Sequence, residues 1–99
     1  MIVSFTPEAE RQARGVDGWW RENRPGSPLL FALELAEAVA LVSETPGLGV
    51  GHVTSSGRRL RKLLLVRTRH HVFFESDEKN GTVVIHAVWG AQRGTGPHL

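Results

Sequence analysis

Apolar residues recur along this chain in two rhythms, one helical and one extended. Ala9, Ala13, Val16 and Trp20 follow one another at spacings of four, three and four, which puts them on one side of a helix. Thr6-Pro7-Glu8 marks the start of that helix. Threonine is a good N-cap, proline is favoured at the first helical position, and an acid suits the positive end of the helix dipole. The helix should stop near Asn23, because Arg24-Pro25-Gly26-Ser27-Pro28 cannot continue it. Ser27 and Pro28 look like a second cap, followed by a stripe of Phe31, Leu35, Ala38 and Val42 widened by Leu30 and Leu41. So short a link predicts an antiparallel helical hairpin.

The extended rhythm flanks the helices. Ile2 to Phe5 is a short apolar segment with β-branched residues, expected to form a first strand. Thr45 to Gly57 holds four glycines and a proline and is expected to be a loop. Strands are then expected at Arg59–Val66, His70–Glu75 and Thr82–Trp89, the last two joined by a turn ending in Asn80-Gly81. Val72-Phe73-Phe74 and Val83-Val84-Ile85 are apolar on successive residues, which point to opposite sheet faces. Both faces therefore need cover, and the hairpin can supply only one. The tail from Gly90 to Leu99 shows no core pattern and is expected to be extended.

These elements predict a single α+β domain over residues 1–99: an N-terminal strand and an α-helical hairpin packed on a small antiparallel β-sheet. The 99 residues, 40% apolar and 22% charged, suit one small globular core. The absence of cysteine excludes disulfides and thiolate zinc sites and fits a reducing cytoplasm. No run reaches the roughly 20 apolar residues of a membrane span, and the N-terminus lacks the basic-then-apolar order of a signal peptide. A cytoplasmic protein is expected. The formal net charge is only +2, but Arg58, Arg59, Arg61, Lys62, Arg67 and Arg69 crowd into twelve positions. Such a patch suits phosphate, an acidic partner or simply solvent. With so small a net charge and no helix-turn-helix, direct duplex-DNA binding is unattractive.

Four phrases, in order, carry a resemblance. Val3-Ser4-Phe5-Thr6-Pro7-Glu8-Ala9 resembles the opening of ParE/RelE-family toxins. Glu44-Thr45-Pro46-Gly47-Leu48-Gly49 is similar to their turn after the second helix. Arg59-Leu60 with Arg69-His70-His71-Val72-Phe73-Phe74 resembles their strand pair. Val88-Trp89-Gly90-Ala91-Gln92-Arg93-Gly94 stands where the family has a Val-x-His-x-Arg-Arg phrase. The resemblance implies a toxin of a type II toxin–antitoxin system, neutralised in a hetero-oligomer by the C-terminal segment of a cognate antitoxin. By that resemblance Arg59, Arg61, Phe73 and Phe74 are the antitoxin-binding candidates. One branch of the family poisons DNA gyrase; the other cleaves mRNA on the ribosome.

The residues lean toward the gyrase branch. RNA cleavage needs a base, an acid and cations for the developing phosphate charge. This chain has no tyrosine, and Gly90 stands where the family has histidine. The catalytic candidates for an endoribonuclease are His70, His71, Arg67 and Arg93, with Glu75 beside them, but adjacent strand residues alternate faces. A gyrase poison needs no catalytic residue of its own. By resemblance its target contacts are Arg93, Thr95, His98 and Leu99 in the tail, with Trp19 as a further candidate because adjacent tryptophans on a helix cannot both face the core. A non-toxic antitoxin-binding module is a third reading. No two histidines have metal-ligand spacing, and neither metal nor cofactor is expected.

Overall fold

The computed structural model describes residues 1–92 and 96–99. Its elements run β1 (Ile2–Phe5), α1 (Pro7–Asn23), α2 (Leu30–Glu44), β2 (Val50–Val53), β3 (Arg59–Leu65), β4 (His70–Asp77) and β5 (Thr82–Gly90). The strands form one mixed sheet in the order β1-β5-β4-β3-β2. Four strands are antiparallel neighbours, and β1 joins parallel to β5 with Phe5 opposite Ile85. Both helices pack on one sheet face, over a core of Ala9, Phe31, Val42, Val72, Phe74 and Ile85 among others.

Local chemistry sets most boundaries. The Thr6 hydroxyl accepts from Ala9 N at 3.1 Å, and the Thr6 amide donates to Ile85 O at 3.0 Å, so the cap also ties α1 to the end of the β1–β5 pair. Beyond β1, the Val88 amide on β5 has no strand partner on that edge. Gln12 reaches down from α1 and accepts from it at 2.8 Å. Asp77 holds the β4–β5 turn by accepting from Lys79 N and Asn80 N. Its carboxyl sits below the usual range, chiefly through bonds from the Asn80 side chain and amide. Gly81 takes the left-handed conformation, φ +64°, that an Asn-Gly turn expects.

Three expectations change. Helix α2 begins at Leu30 with no side-chain cap; Ser27 instead closes a turn, its carbonyl accepting from Leu30 N at 3.2 Å. The glycine-rich loop contains a strand, β2, paired with β3. It is led in by Gly49 (φ +78°), where a Cβ would lie 2.2 Å from Lys62 O, so only glycine lets the chain approach that closely. Lastly, Leu99 is not loose: it packs on the sheet's second face against a cluster of Leu60, Phe73 and Ala87, with Trp89 beside it, and its carbonyl accepts from the Ser56 hydroxyl at 2.7 Å.

Candidate functional site

A kink in the sheet decides which residues meet. Between Phe73 and Phe74 the register shifts, with Phe73 opposite Ala87 but Phe74 opposite Ile85. His86 is thus the extra residue of a β-bulge. Alternation puts His70, Val72 and Phe74 on the helix side and His71 and Phe73 on the other. His70 packs edge-on to Phe31 of α2 with centroids 5.5 Å apart, and its Nδ1 lies 2.9 Å from Thr68 O. His71 packs near Phe73 on the far face, 6.1 Å between centroids. The structure therefore does not bring the catalytic candidates together: Arg67 and His70 line one site and His71 another, while Arg93 and Thr95 lie outside the described residues.

The first site is a cleft of about 870 Å³ between the second half of α1, the turn between β3 and β4, and the end of β5. All three tryptophans of the chain, Trp19, Trp20 and Trp89, line it with Arg24, Arg67 and Arg69, and no carboxylate is among its described lining residues. Trp19 and Trp20 meet edge to face at 6.0 Å. The Arg24 guanidinium lies 4.7 Å from the Trp19 ring centroid and 5.7 Å from that of Trp20, within cation–π range. Half-exposed Trp19 thus stands at the cleft wall, where adjacent helical tryptophans must diverge.

The turn carrying Arg67 and Arg69 is braced from below. Glu34 of α2 is only 8% exposed, and its carboxylate accepts from Arg67 N at 2.8 Å, Thr68 N at 3.0 Å and Thr68 Oγ1 at 2.6 Å. Burial alone would raise its pKa, but the hydroxyl, the two amides and the Arg67 charge together hold it below the ordinary value. With backbone and carboxylate so engaged, Arg69 adopts φ +63°, a strained choice for a non-glycine residue. Among the described residues neither the Arg67 nor the Arg69 guanidinium has a hydrogen bond or ion pair. Glu34 was the missed residue here. Its signal was a carboxylate three residues after Phe31, on the core stripe itself.

The second site is the sheet face away from the helices. His52 and His71 both pack edge-on against Phe73, and Lys62 stands opposite Phe73 in the register. Desolvation, then electrostatic repulsion from Lys62, Arg69 and His52, pushes the His71 pKa down. Nearby, Glu75 bridges Arg58 at 2.9 Å and His86 at 3.4 Å.

The antitoxin candidates divide. Arg59 is exposed. Arg61 is already committed, donating to Leu48 O at 2.8 Å and Gly49 O at 2.7 Å, and so latches the lead-in to β2. Phe74 is a core residue with no exposed surface and Phe73 is buried beneath Leu99; in this conformation neither offers a contact to a partner, because the two faces of β4 are covered by the helices and by the C-terminal residues. Of the tail candidates His98 is exposed and Leu99 is packed as described. The apolar surface left open lies instead on α2 and its approach, at Leu29, Leu33 and Leu41, and on edge strand β2 at Val50 and Val53. Leu41, expected in the core, is 54% exposed, because the narrower stripe through Phe31, Ala38 and Val42 faces the sheet. No described helix is long and apolar enough to cross a membrane.

Two helices on one face of a five-stranded mixed sheet, with β1 parallel to β5, make an α+β fold of the ParE-like type. The solved structure titled "Chromosomal ParDE TA system from P. aeruginosa" contains a chain that matches this one with a TM-score of 0.73 at 16% identity, over 93% of this chain and 97% of that one. No protein-family model and no curated protein sequence matches.

Proposed function

We propose that this chain is the toxin half of a toxin–antitoxin pair, acting in the cytoplasm, held neutral by a cognate antitoxin and acting on DNA gyrase when released. The observation that carries the reading is the open apolar surface of α2 and its approach, at Leu29, Leu33 and Leu41, in a chain with a ParE-like fold. A small protein that worked alone would bury such a row or make it polar. An antitoxin segment that folds on contact would lay an apolar helix face over α2 and could add a strand to the free edge of β2, where Val50 and Val53 stand exposed. The dispersal of His70, His71 and Arg67 over two sites supports a poison that uses its target's own chemistry rather than a nuclease.

The test is supercoiling of relaxed plasmid by gyrase with antitoxin-free protein. Loss of supercoiling with accumulation of linear plasmid is expected, and removal of residues 95–99 should weaken it more than His71→Ala or Arg67→Ala. Unimpaired supercoiling at large molar excess of folded protein refutes the gyrase target. One observation favours a second reading. His71, its pKa lowered by burial and by Lys62 and His52 on the same sheet face, is the arrangement that ribosome-dependent mRNA cleavage would use, and toxicity abolished by His71→Ala with antitoxin binding intact would establish it. Tight antitoxin binding without any effect on growth would identify a non-toxic binding module.

A further inference from the structure

The cleft at the end of α1 holds Trp19, Arg67 and His70, which the readings of toxicity name one by one, but neither reading uses it as a pocket, and its composition is lopsided. Every tryptophan in the chain lines it, three arginines and His70 line it, and no described acidic residue does. Arginines elsewhere are largely neutralised: Arg11, Arg14, Arg21 and Arg58 pair with Glu8, Glu10, Asp17 and Glu75, and Arg61 is taken up by carbonyls. The Arg67 and Arg69 guanidiniums make no hydrogen bond or close ion pair among the described residues, although the Arg67 charge acts on Glu34 beneath the turn that Glu34 fixes in place. Both arginines line the cleft from a turn whose backbone is held in one conformation.

We infer that this cleft binds a nucleotide, its base against the Trp19–Arg24 wall and its phosphate between Arg67 and Arg69. The two ligand halves answer the two cleft halves. Indole and guanidinium planes are stacking platforms for any base, and guanidiniums grip phosphate oxygens two at a time. An acidic peptide would satisfy the arginines but has no flat group for the Trp19–Trp20 wall. At about 870 Å³ the cleft has the size of small-ligand sites, open enough for a free nucleotide or for one unit of a single strand. The inference goes beyond the toxin assignment and does not rest on it.

Because Trp19 and Trp20 stand in the cleft wall, intrinsic fluorescence reports on its occupancy. The full chain is titrated with adenosine monophosphate, guanosine monophosphate, adenosine, inorganic phosphate, short oligo-rA and oligo-dT strands, and a glutamate-rich peptide. Saturable change with the nucleotides is expected, with adenosine and phosphate alone each at least about tenfold weaker, since each fills half the site. Monophosphates binding as well as the strands would mean a free nucleotide; strands binding about tenfold tighter or more would mean a unit of single-stranded nucleic acid. Both arms support the site. R67Q/R69N should weaken binding about tenfold or more while leaving the urea midpoint close to wild type, asparagine being chosen because it tolerates the left-handed backbone. W19L, which keeps the fold and removes the platform, should weaken nucleotides more than inorganic phosphate. No saturable response to any nucleotide or strand up to about 10 mM, where weak binding would still register, overturns the inference. So does equal affinity for the glutamate-rich peptide, which would make the cleft a docking site for an acidic protein.

Discussion

Replacing Glu34 with glutamine tests whether the site turn is held by one buried charge. The carboxylate accepts from two backbone amides and a hydroxyl. Glutamine has nearly the same shape, but only one of its two terminal atoms accepts. Its amide NH2 must face one of the donors now satisfied, so at least one buried backbone N–H loses its partner. An unsatisfied buried donor costs about 1–3 kcal/mol, and hydrogen bonds to a charged acceptor are worth about twice neutral ones. A loss of about 2–3 kcal/mol is expected at pH 7, a large share of the roughly 5–15 kcal/mol of a small domain. The pH dependence follows from the lowered pKa of Glu34. Its stabilisation is fully present above the ordinary glutamate value of the unfolded chain and disappears as pH falls through the lower folded value. Glutamine does not titrate. The gap between wild type and E34Q should therefore be constant from neutral pH to that window and close below it. Urea unfolding, followed by circular dichroism from pH 7 down to about 3, measures both. Equal midpoints at pH 7, or a gap that persists undiminished in acid, would refute the brace.

Other outcomes follow from single contacts. Gly49→Ala forces a Cβ to 2.2 Å from Lys62 O at φ +78°; backbone strain alone should cost about 1–3 kcal/mol, visible as a lowered melting temperature and faster amide exchange in β2. His71→Asn should make the protein less sensitive to acid. The folded imidazole resists protonation while the unfolded one charges near its ordinary value, so wild type loses stability as pH falls through that window and the variant does not; equal losses between pH 7 and 5 would sink this. Leu33 is 61% exposed, so Leu33→Asp should alter stability by less than about 0.5 kcal/mol yet weaken antitoxin binding strongly in calorimetry.

What could be read from the sequence was what neighbours in the chain decide. Thr6-Pro7 starts α1, and Asn80-Gly81 turns β4 into β5, because caps and turns are completed within a few residues. Strand β2 escaped notice because nothing local makes Val50-Gly51-His52-Val53 a strand. It exists by pairing with β3 and through Arg61, twelve residues away, which holds the Gly49 carbonyl. The same division separates good site expectations from poor ones. Alternation along a strand predicts that His70 parts from His71 and Phe73 from Phe74, and the sheet does part them, but it does not say which distant residues each then meets. Conversely Trp20 and Trp89 line one cleft although helix, turn and three strands lie between them. Chemistry on a strand is gathered at every second residue, across the sheet and from the helices above it. Adjacency in sequence therefore argues against a shared site there, and a doublet such as His70-His71 is better read as one candidate for each face.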